Sequence, residues 1–323
     1  MTEMTKSLVL FSGSANPKLA QEISKKLNVP LGAEVLEQFA NGEIYAQYPK
    51  SIRGADVFII QSVAGAKVND ALMELLVMID AAKRASARTI TAVITHYGYA
   101  RQDRKALPRE PITAKLVANL ITVAGAYRII TMDLHCGQIQ GFFDIPVNHL
   151  TAIPILVDYF KAKNLDSKQL CVVSPDLGRS KAAKKFSDCL SCDFVIMHKS
   201  RPKHNHAQIT ALIGDVKDKI CIINDDMIDT GGSIVAAVKT LKKKGARDIY
   251  ICATHPIFSG DAVERICNSD IKELIVTNTI PIRDGIENKK LKVVSVADLF
   301  ADAIDRVYSN QSVAEIWDEN FVL

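Results

Sequence analysis

The sequence predicts an α/β protein of two similar domains, each a largely parallel sheet flanked by helices. Three observations support this. Short apolar runs of strand length alternate with helix-like segments along most of the 323 residues, the order that lays strands in parallel beneath covering helices. The length exceeds that of the usual single α/β domain and suits two domains of roughly 150 residues. With 48% of its residues hydrophobic, the chain can build two substantial cores.

In the first half, residues 8–11 (LVLF) read as a strand, and Asn16-Pro17 opens a helix reaching about Leu27. Residues 56–61 form a second strand. Asn69 is placed to cap a long helix, 70–85, that is apolar around most of its circumference and is therefore expected to be central or in a subunit interface. Strands follow at 89–94 and 128–132. The second half repeats this style, with a helix at 153–163, strands at 170–174, 194–197 and 220–223, a helix at 234–241 that Gly245 is placed to end, and strands at 249–254 and 274–277. Pro146, Asn148 and Pro154 interrupt the pattern, so the boundary is expected near 148–155, giving domains 1–150 and 151–323. Residues 1–7 and 308–323 read as weakly patterned tails.

A net charge of +4 without a long basic run does not call for a nucleic-acid partner. Residues 1–6 carry no apolar signal-like run and no eighteen-residue apolar stretch occurs, so neither a leader nor a membrane partner is expected. Seven scattered cysteines suit a reduced, cytoplasmic location. Cys189 and Cys192 form the one C-x-x-C, with no second pair at zinc spacing. Cys136 reads as a small buried thiol.

The most informative segment is Asn224-Asp225-Asp226-Met227-Ile228-Asp229-Thr230-Gly231-Gly232-Ser233, read as an acidic, glycine-containing turn between strand and helix. Such a turn offers backbone N–H groups and a helix N-terminus to an anion. Its glycines admit a phosphate closely, and Thr230 and Ser233 add hydroxyl donors. Three carboxylates would repel a bare phosphate, so Asp225 and Asp226 suggest a ligand with hydroxyls or a metal beside its phosphate. A sugar phosphate meets both demands.

Other segments carry weaker signals. Asp133 and His135 follow the strand 128–132 and would share one face if the extended backbone continued. With Asp176, at the end of another strand, they supply possible ligands for a divalent ion at the carboxyl ends of strands. Arg101, Gln102, Arg104 and Lys105 lie in a loop after the strand 89–94, beside Tyr97 and Tyr99, and suit nucleotide phosphates. Phe39-Ala40-Asn41-Gly42-Glu43 reads as a turn whose Phe can stack on a base while Asn41 and Glu43 meet an exocyclic amine. Residues 198–206 read as a surface loop, or as a lid whose Lys199 and Arg201 close on a transferring phosphate. Taken singly, each also reads as an ordinary polar turn or solvated loop.

The 225–233 string resembles the ribose-phosphate loop shared by type I phosphoribosyltransferases and ribose-phosphate diphosphokinases. Further motifs, in order from about Leu8 to Arg306, resemble the class I ribose-phosphate diphosphokinases: Phe39–Glu43, Arg53–Val57, Asn69-Asp70 with Met73–Leu76, Tyr99–Arg104, Pro111–Lys115, Asp133–His135, Gln138–Pro146, Ser174–Asp176, Lys199 with Arg201-Pro202, and Thr254–Gly260. Simple phosphoribosyltransferases share only the 225–233 element. The alternatives weighed are a phosphoribosyltransferase and a non-catalytic regulatory homologue.

The resemblance implies two phosphoribosyltransferase-like domains and transfer of the β,γ-diphosphoryl group of ATP to the C1 hydroxyl of ribose 5-phosphate. Asp229, Thr230, Gly231, Gly232 and Ser233 would hold the 5-phosphate, and Asp225 and Asp226 the ribose hydroxyls. Phe39, Asn41, Gly42, Glu43, Arg101 and Gln102 would hold ATP. His135 and Asp176, with Asp133 nearby, would bind Mg2+, and Lys199 and Arg201 would be catalytic. Ser51, Arg53 and Arg104 match a regulatory phosphate site, and a homohexamer with shared sites is implied. The chain departs from the family pattern at Asn41 and Asn148, where Asp is usual, and at Arg179 and Ala182, where Gly and Arg are usual.

Overall fold

Strands that read as unbroken apolar runs are expected where both faces of a sheet are covered, and the structure places them there. The computed structural model describes residues 7–203 and 206–316, the side chains of 199–203 and 206–210 excepted. By its contacts the chain forms two units, one holding residues up to 151 together with 279–281 and 295–316, the other holding 152–278 and 282–294.

The first unit runs β1 (Leu8–Ser12), α1 (Pro17–Leu27), β2 (Val35–Gln38), β3 (Ile44–Gln47), β4 (Asp56–Ser62), α2 (Val68–Arg84), β5 (Thr89–His96), α3 (Thr113–Ala124), β6 (Arg128–Met132) and β7 (Val147–Leu150). Its main sheet, among the described residues, has the all-parallel order β1-β4-β5-β6-β7. Every residue of β4 is buried. Val57 and Ile59 join a core with Leu75, Met78 and Ile79 of α2 and Val117 and Ile121 of α3. Phe58 and Ile60 are equally buried on the opposite face, as strand alternation requires. Asn16 caps α1 by accepting from the Leu19 N–H at 3.4 Å, with Pro17 at the first helical position, as the sequence predicted. Asn69 does not cap α2, which begins one residue earlier at Val68; its amide oxygen accepts instead from the Tyr99 hydroxyl. Asn148 lies within β7, where its amide oxygen accepts from Arg128 on β6 at 3.1 Å.

The second unit runs α4 (Ile153–Lys161), β8 (Leu170–Ser174), α5 (Ser180–Leu190), β9 (Asp193–Lys203), β10 (His206–Ile213), β11 (Ile220–Ile228), α6 (Gly232–Lys243), β12 (Asp248–Pro256), α7 (Ala262–Cys267), β13 (Glu273–Thr277) and β14 (Leu291–Val294). The sheet order is β10-β9-β8-β11-β12-β13-β14, parallel except for the antiparallel β9–β10 edge. The segment 198–206, expected to be a surface loop, is largely strand. β9 continues past Met197 to Lys203 because β10 pairs with it, aligning Ile209 with Lys199 and Ala211 with His198. Residues without an apolar pattern of their own are thus drawn into a ladder by a partner.

The chain then returns to the first unit with α8 (Ala297–Tyr308), which packs on α1. The expected second domain, 151–323, therefore gives up residues 279–281 and 295–316. Periodicity shows that 297–308 is amphipathic but not which core its Phe300 and Ile304 enter. A polar clamp fixes the first returning stretch. Thr95 Oγ1, Ser62 Oγ and Asn16 Nδ2 all donate to the Thr279 carbonyl, at 2.7, 3.0 and 3.3 Å. Thr95→Val keeps the side-chain shape and removes one buried donor while two remain, so it should cost about 1 kcal/mol. A urea titration with an unchanged slope and a lower midpoint is the expected result.

Candidate active site

β8 and β11 are parallel neighbours in the second sheet, so the turns that leave their carboxyl ends are adjacent. Such edges are where α/β sheets bind ligands. The sequence reading made Asn224–Ser233 a turn, but β11 runs on through Asp225 and Asp226 to Ile228, aligning Asp225 with Ala253 and Met227 with His255. β12 extends alongside to Pro256 and supplies the ladder, and Ile228 is fully buried. The turn itself is only Asp229–Gly231. It is pinned from the loop after β12: Phe258 and Ser259 donate their N–H groups to the Ile228 and Asp229 carbonyls at 3.0 and 3.1 Å. Arg283 in turn donates to the Phe258 and Gly260 carbonyls at 2.8 Å each. Sequence reasoning missed Arg283, because no local signal links an arginine to a loop more than twenty positions earlier.

Gly231 has φ +74°, and a Cβ there would lie 2.8 Å from Ile266 Cδ1. Gly232, which begins α6, differs. Its φ is not left-handed, and a Cβ would meet nothing within 4 Å. Thr230, Gly232 and Ser233 are exposed at the helix start, where the first N–H groups have no intrahelical acceptor. The open space over Gly232 beside these donors suits a phosphate.

Asp226 is buried and Asp225 half-buried, and the Asp226 N–H donates to Asp225 Oδ1 at 2.9 Å. Burial above all, then the charge of Asp226 and a hydrogen bond between the two side chains, push the Asp225 carboxyl well above the usual carboxylate range; the Arg179 charge opposes this. The Asp225 carboxyl thus resists ionisation, which lessens the repulsion that three aspartates would direct at an anion. Arg179 reaches the pair from the neighbouring turn, its Nε 3.9 Å from Asp226 Oδ1. Asp176, half-buried in that turn, accepts from the Arg179 N–H at 3.2 Å through Oδ1, and its carbonyl accepts from Ser174 Oγ at 2.7 Å. Arg179 has ordinary right-handed backbone angles, so an arginine in place of glycine does not strain the chain beside Asp176. Ala182 lies one turn into α5, and its methyl group makes no polar contact.

In the first unit, the extended geometry expected at Asp133–His135 is absent. Asp133 adopts φ +37° and ends β6, so the same-face argument does not apply. Asp133 is buried and His135 half-buried. The Asp133 N–H donates to the Leu150 carbonyl and the Leu134 N–H to His149 Nε2, both at 2.9 Å. Cys136 Sγ donates to Asp103 Oδ2 at 3.1 Å, tying this segment to the loop that carries Arg101 and Gln102. Burial, then the Asp103 hydrogen bond and charge, push the Cys136 thiol up to about 11, so it is a structural donor, not a nucleophile. Arg101 and Gln102 are exposed. The Gln102 side-chain oxygen accepts from Thr113 Oγ1, and its N–H donates to the Tyr99 carbonyl.

Phe39–Glu43 is the expected turn, and it joins β2 to β3 in an antiparallel hairpin. The Gly42 N–H donates to the Phe39 carbonyl at 2.8 Å, and Gly42 has φ +91°. Asn41 Oδ1 accepts from the Glu43 N–H at 3.1 Å, so the Asn41 oxygen shapes the turn and leaves its Nδ2 for a ligand. Phe39 is 49% exposed, its ring 5.8 Å from that of Tyr45. Ser51 and Arg53 are exposed, with the Arg53 N–H 3.5 Å from Ser51 Oγ, and Arg104 is exposed as well. The side chains of Lys199 and Arg201 lie outside the described residues; their backbone is part of β9. Among the described residues, no three His, Cys, Asp or Glu side chains form a group that could hold a metal ion.

An open α/β sheet with a carboxylate pair and a Gly-Gly-Ser helix start at its strand ends belongs to the class of folds that offer an anion a place at the sheet edge. A family model described as the N-terminal domain of ribose phosphate pyrophosphokinase matches residues 8–125, and one described as a phosphoribosyl synthetase-associated domain matches 174–318. The chain is 52% identical to a ribose-phosphate pyrophosphokinase of Clostridium perfringens, with 99% of this chain and 100% of that one covered. It is 51% identical to the protein of that name from Bacillus caldolyticus, covering 98% and 100%. The crystal structure of phosphoribosylpyrophosphate synthetase from Mycobacterium smegmatis is 46% identical and superposes with a TM-score of 0.89, covering 94% of this chain and 99% of that one. The chain belongs to the ribose-phosphate pyrophosphokinase family.

Gly231→Ala tests the turn. The left-handed backbone and the contact with Ile266 together should cost about 2 kcal/mol, read as a lower midpoint in urea.

Proposed function

We propose that this chain transfers the β,γ-diphosphoryl group of ATP to the C1 hydroxyl of ribose 5-phosphate, forming phosphoribosyl diphosphate and AMP. The observation that carries this is identity at about half of all positions, end to end, with relatives named ribose-phosphate pyrophosphokinase. The geometry of the second sheet edge supports it. Thr230, Ser233 and the first N–H groups of α6 would take the 5-phosphate, with Gly232 leaving room for its oxygens and Asp229 and Gly231 shaping the turn. Asp225 and Asp226 would take the ribose hydroxyls. Carboxyl oxygens accept from such hydroxyls, and the resistance of Asp225 to ionisation lessens the negative charge beside the phosphate.

ATP is assigned to Phe39, Asn41, Gly42, Glu43, Arg101 and Gln102. The exposed Phe39 ring offers a stacking face, and Asn41 Nδ2 and Glu43 offer a donor and an acceptor to the base. Lys199 and Arg201 would neutralise charge on the diphosphoryl group as it transfers. Such reactions depend on positioning and charge more than on covalent chemistry.

The divalent ion is assigned as Mg2+, which binds through few protein ligands plus phosphate oxygens. Asp133, His135 and Asp176 are assigned as its candidate ligands. When bound, the ion would neutralise charge on the phosphate oxygens. Ser51, Arg53 and Arg104, all exposed, are assigned to a regulatory phosphate site. A homohexamer is assigned as the working state. The exposed apolar stripe Ile112, Leu116, Leu120 and Val123 at α3 is the kind of surface a subunit contact covers. The location assigned is cytoplasmic. No described helix is long and apolar enough to cross a membrane.

Incubated with ATP, Mg2+ and ribose 5-phosphate in phosphate buffer, the protein should release AMP and phosphoribosyl diphosphate in equal amounts; no AMP would refute the reading. Lys199→Ala should lower kcat by about a hundredfold or more while ATP binding is largely kept; unchanged turnover would remove Lys199 from the mechanism. Gly232→Ala should leave the urea midpoint in place yet raise KM for ribose 5-phosphate by about tenfold, since its methyl group would occupy space meant for the phosphate. An unchanged KM would show that the phosphate does not approach there.

A further inference from the structure

We propose that Arg179 is a positioning residue for ribose 5-phosphate, holding the Asp226 carboxylate in place and supplying the positive charge that lets an acidic strand end accept an anionic sugar. The proposal rests on the assignment of Asp225–Ser233 as the sugar-phosphate site. It joins two turns that the sequence reading treated separately.

Arg179 is attached to the site at two points. Its N–H donates to Asp176 Oδ1 at 3.2 Å, which fixes its backbone at the start of α5. Its side chain extends to β11, where Nε lies 3.9 Å from Asp226 Oδ1. Both side chains are well buried, at 16% and 3% exposure, so solvent screens this contact far less than it would a surface pair. At 3.9 Å the contact is ionic, and it acts through charge and steric placement. β8 and β11 are parallel neighbours, which holds the two turns at a fixed separation.

The charges explain why such a residue is needed. Asp225 and Asp226 are consecutive, and the charge of Asp226 disfavours ionisation of Asp225. Asp176 and Asp229 border the same strand ends. The ligand adds a phosphate dianion. A buried cation 3.9 Å from Asp226 offsets part of this negative charge and keeps that carboxylate aimed. Arginine suits the place because its guanidinium stays protonated when buried.

The test is calorimetric binding of ribose 5-phosphate to the full-length protein, with AMP formation assayed in parallel. Arg179→Ala should weaken binding about tenfold, and Arg179→Lys, which keeps the charge, by no more than about threefold. In an Asp226→Asn background, where no carboxylate remains to be held, Arg179→Ala should weaken binding by less than about twofold. KM for ATP should not move. A tenfold loss in both backgrounds, or no loss in either, would overturn the proposal, and an alanine variant that fails to fold leaves the lysine variant and its own double mutant to decide it. A wild-type protein that binds ribose 5-phosphate without releasing AMP refutes the functional reading, while the coupling between Arg179 and Asp226 still decides this one. AMP release with additive variants refutes the positioning role alone.

Discussion

A strand buried on both faces has no place for a polar side chain except at its ends. That constraint organises each unit of this protein. β4, β8 and the first half of β11 are apolar because helices cover both sides of their sheets. Their carboxyl ends are where backbone and side chains first meet solvent, and the polar motifs gather there. Asp133 follows β6, Asp176 follows β8, and Asp229–Gly231 follows β11. A helix then begins within a few residues of Asp176 and at Gly232, presenting its positive end to whatever binds.

The same constraint creates an electrostatic problem at the edge of the second sheet. β11 carries Asp225 and Asp226 inside the ladder, where water is scarce, beside a turn suited to a phosphate. Two responses are built in. Burial and the neighbouring Asp226 charge push the Asp225 carboxyl above the usual range, and Arg179 places a cation against Asp226. The first weakens a charge and the second balances one. The backbone around them is held by bonds from distant segments, above all the loop after β12 braced by Arg283.

Much of this was legible in the sequence. Alternating apolar runs gave the parallel sheets, because the period of burial is a local property. Asn16-Pro17 announced α1 through capping chemistry that needs no tertiary partner. Phe39–Glu43 was readable as a turn for the same reason. What failed did so where pairing or packing overrides local pattern. β11 continues through its aspartates because β12 is beside it, β9 continues through a basic segment because β10 pairs with it, and Asp133 turns left-handed where an extended residue was expected. The destination of α8 was unreadable, since an amphipathic stripe specifies a buried face and not the core that receives it.

Composition and apolar period were enough for the fold class, and contiguous motifs for the family resemblance and the candidate site residues. Tertiary pairing set how those residues are held. It set the strand through Asp225 and Asp226, the contact of Arg179 with Asp226, the clamp on Thr279, and the bond joining Cys136 to Asp103. Each of these couples positions far apart in the chain. Local sequence carries no signal for such pairs, because their geometry exists only after the sheets have assembled.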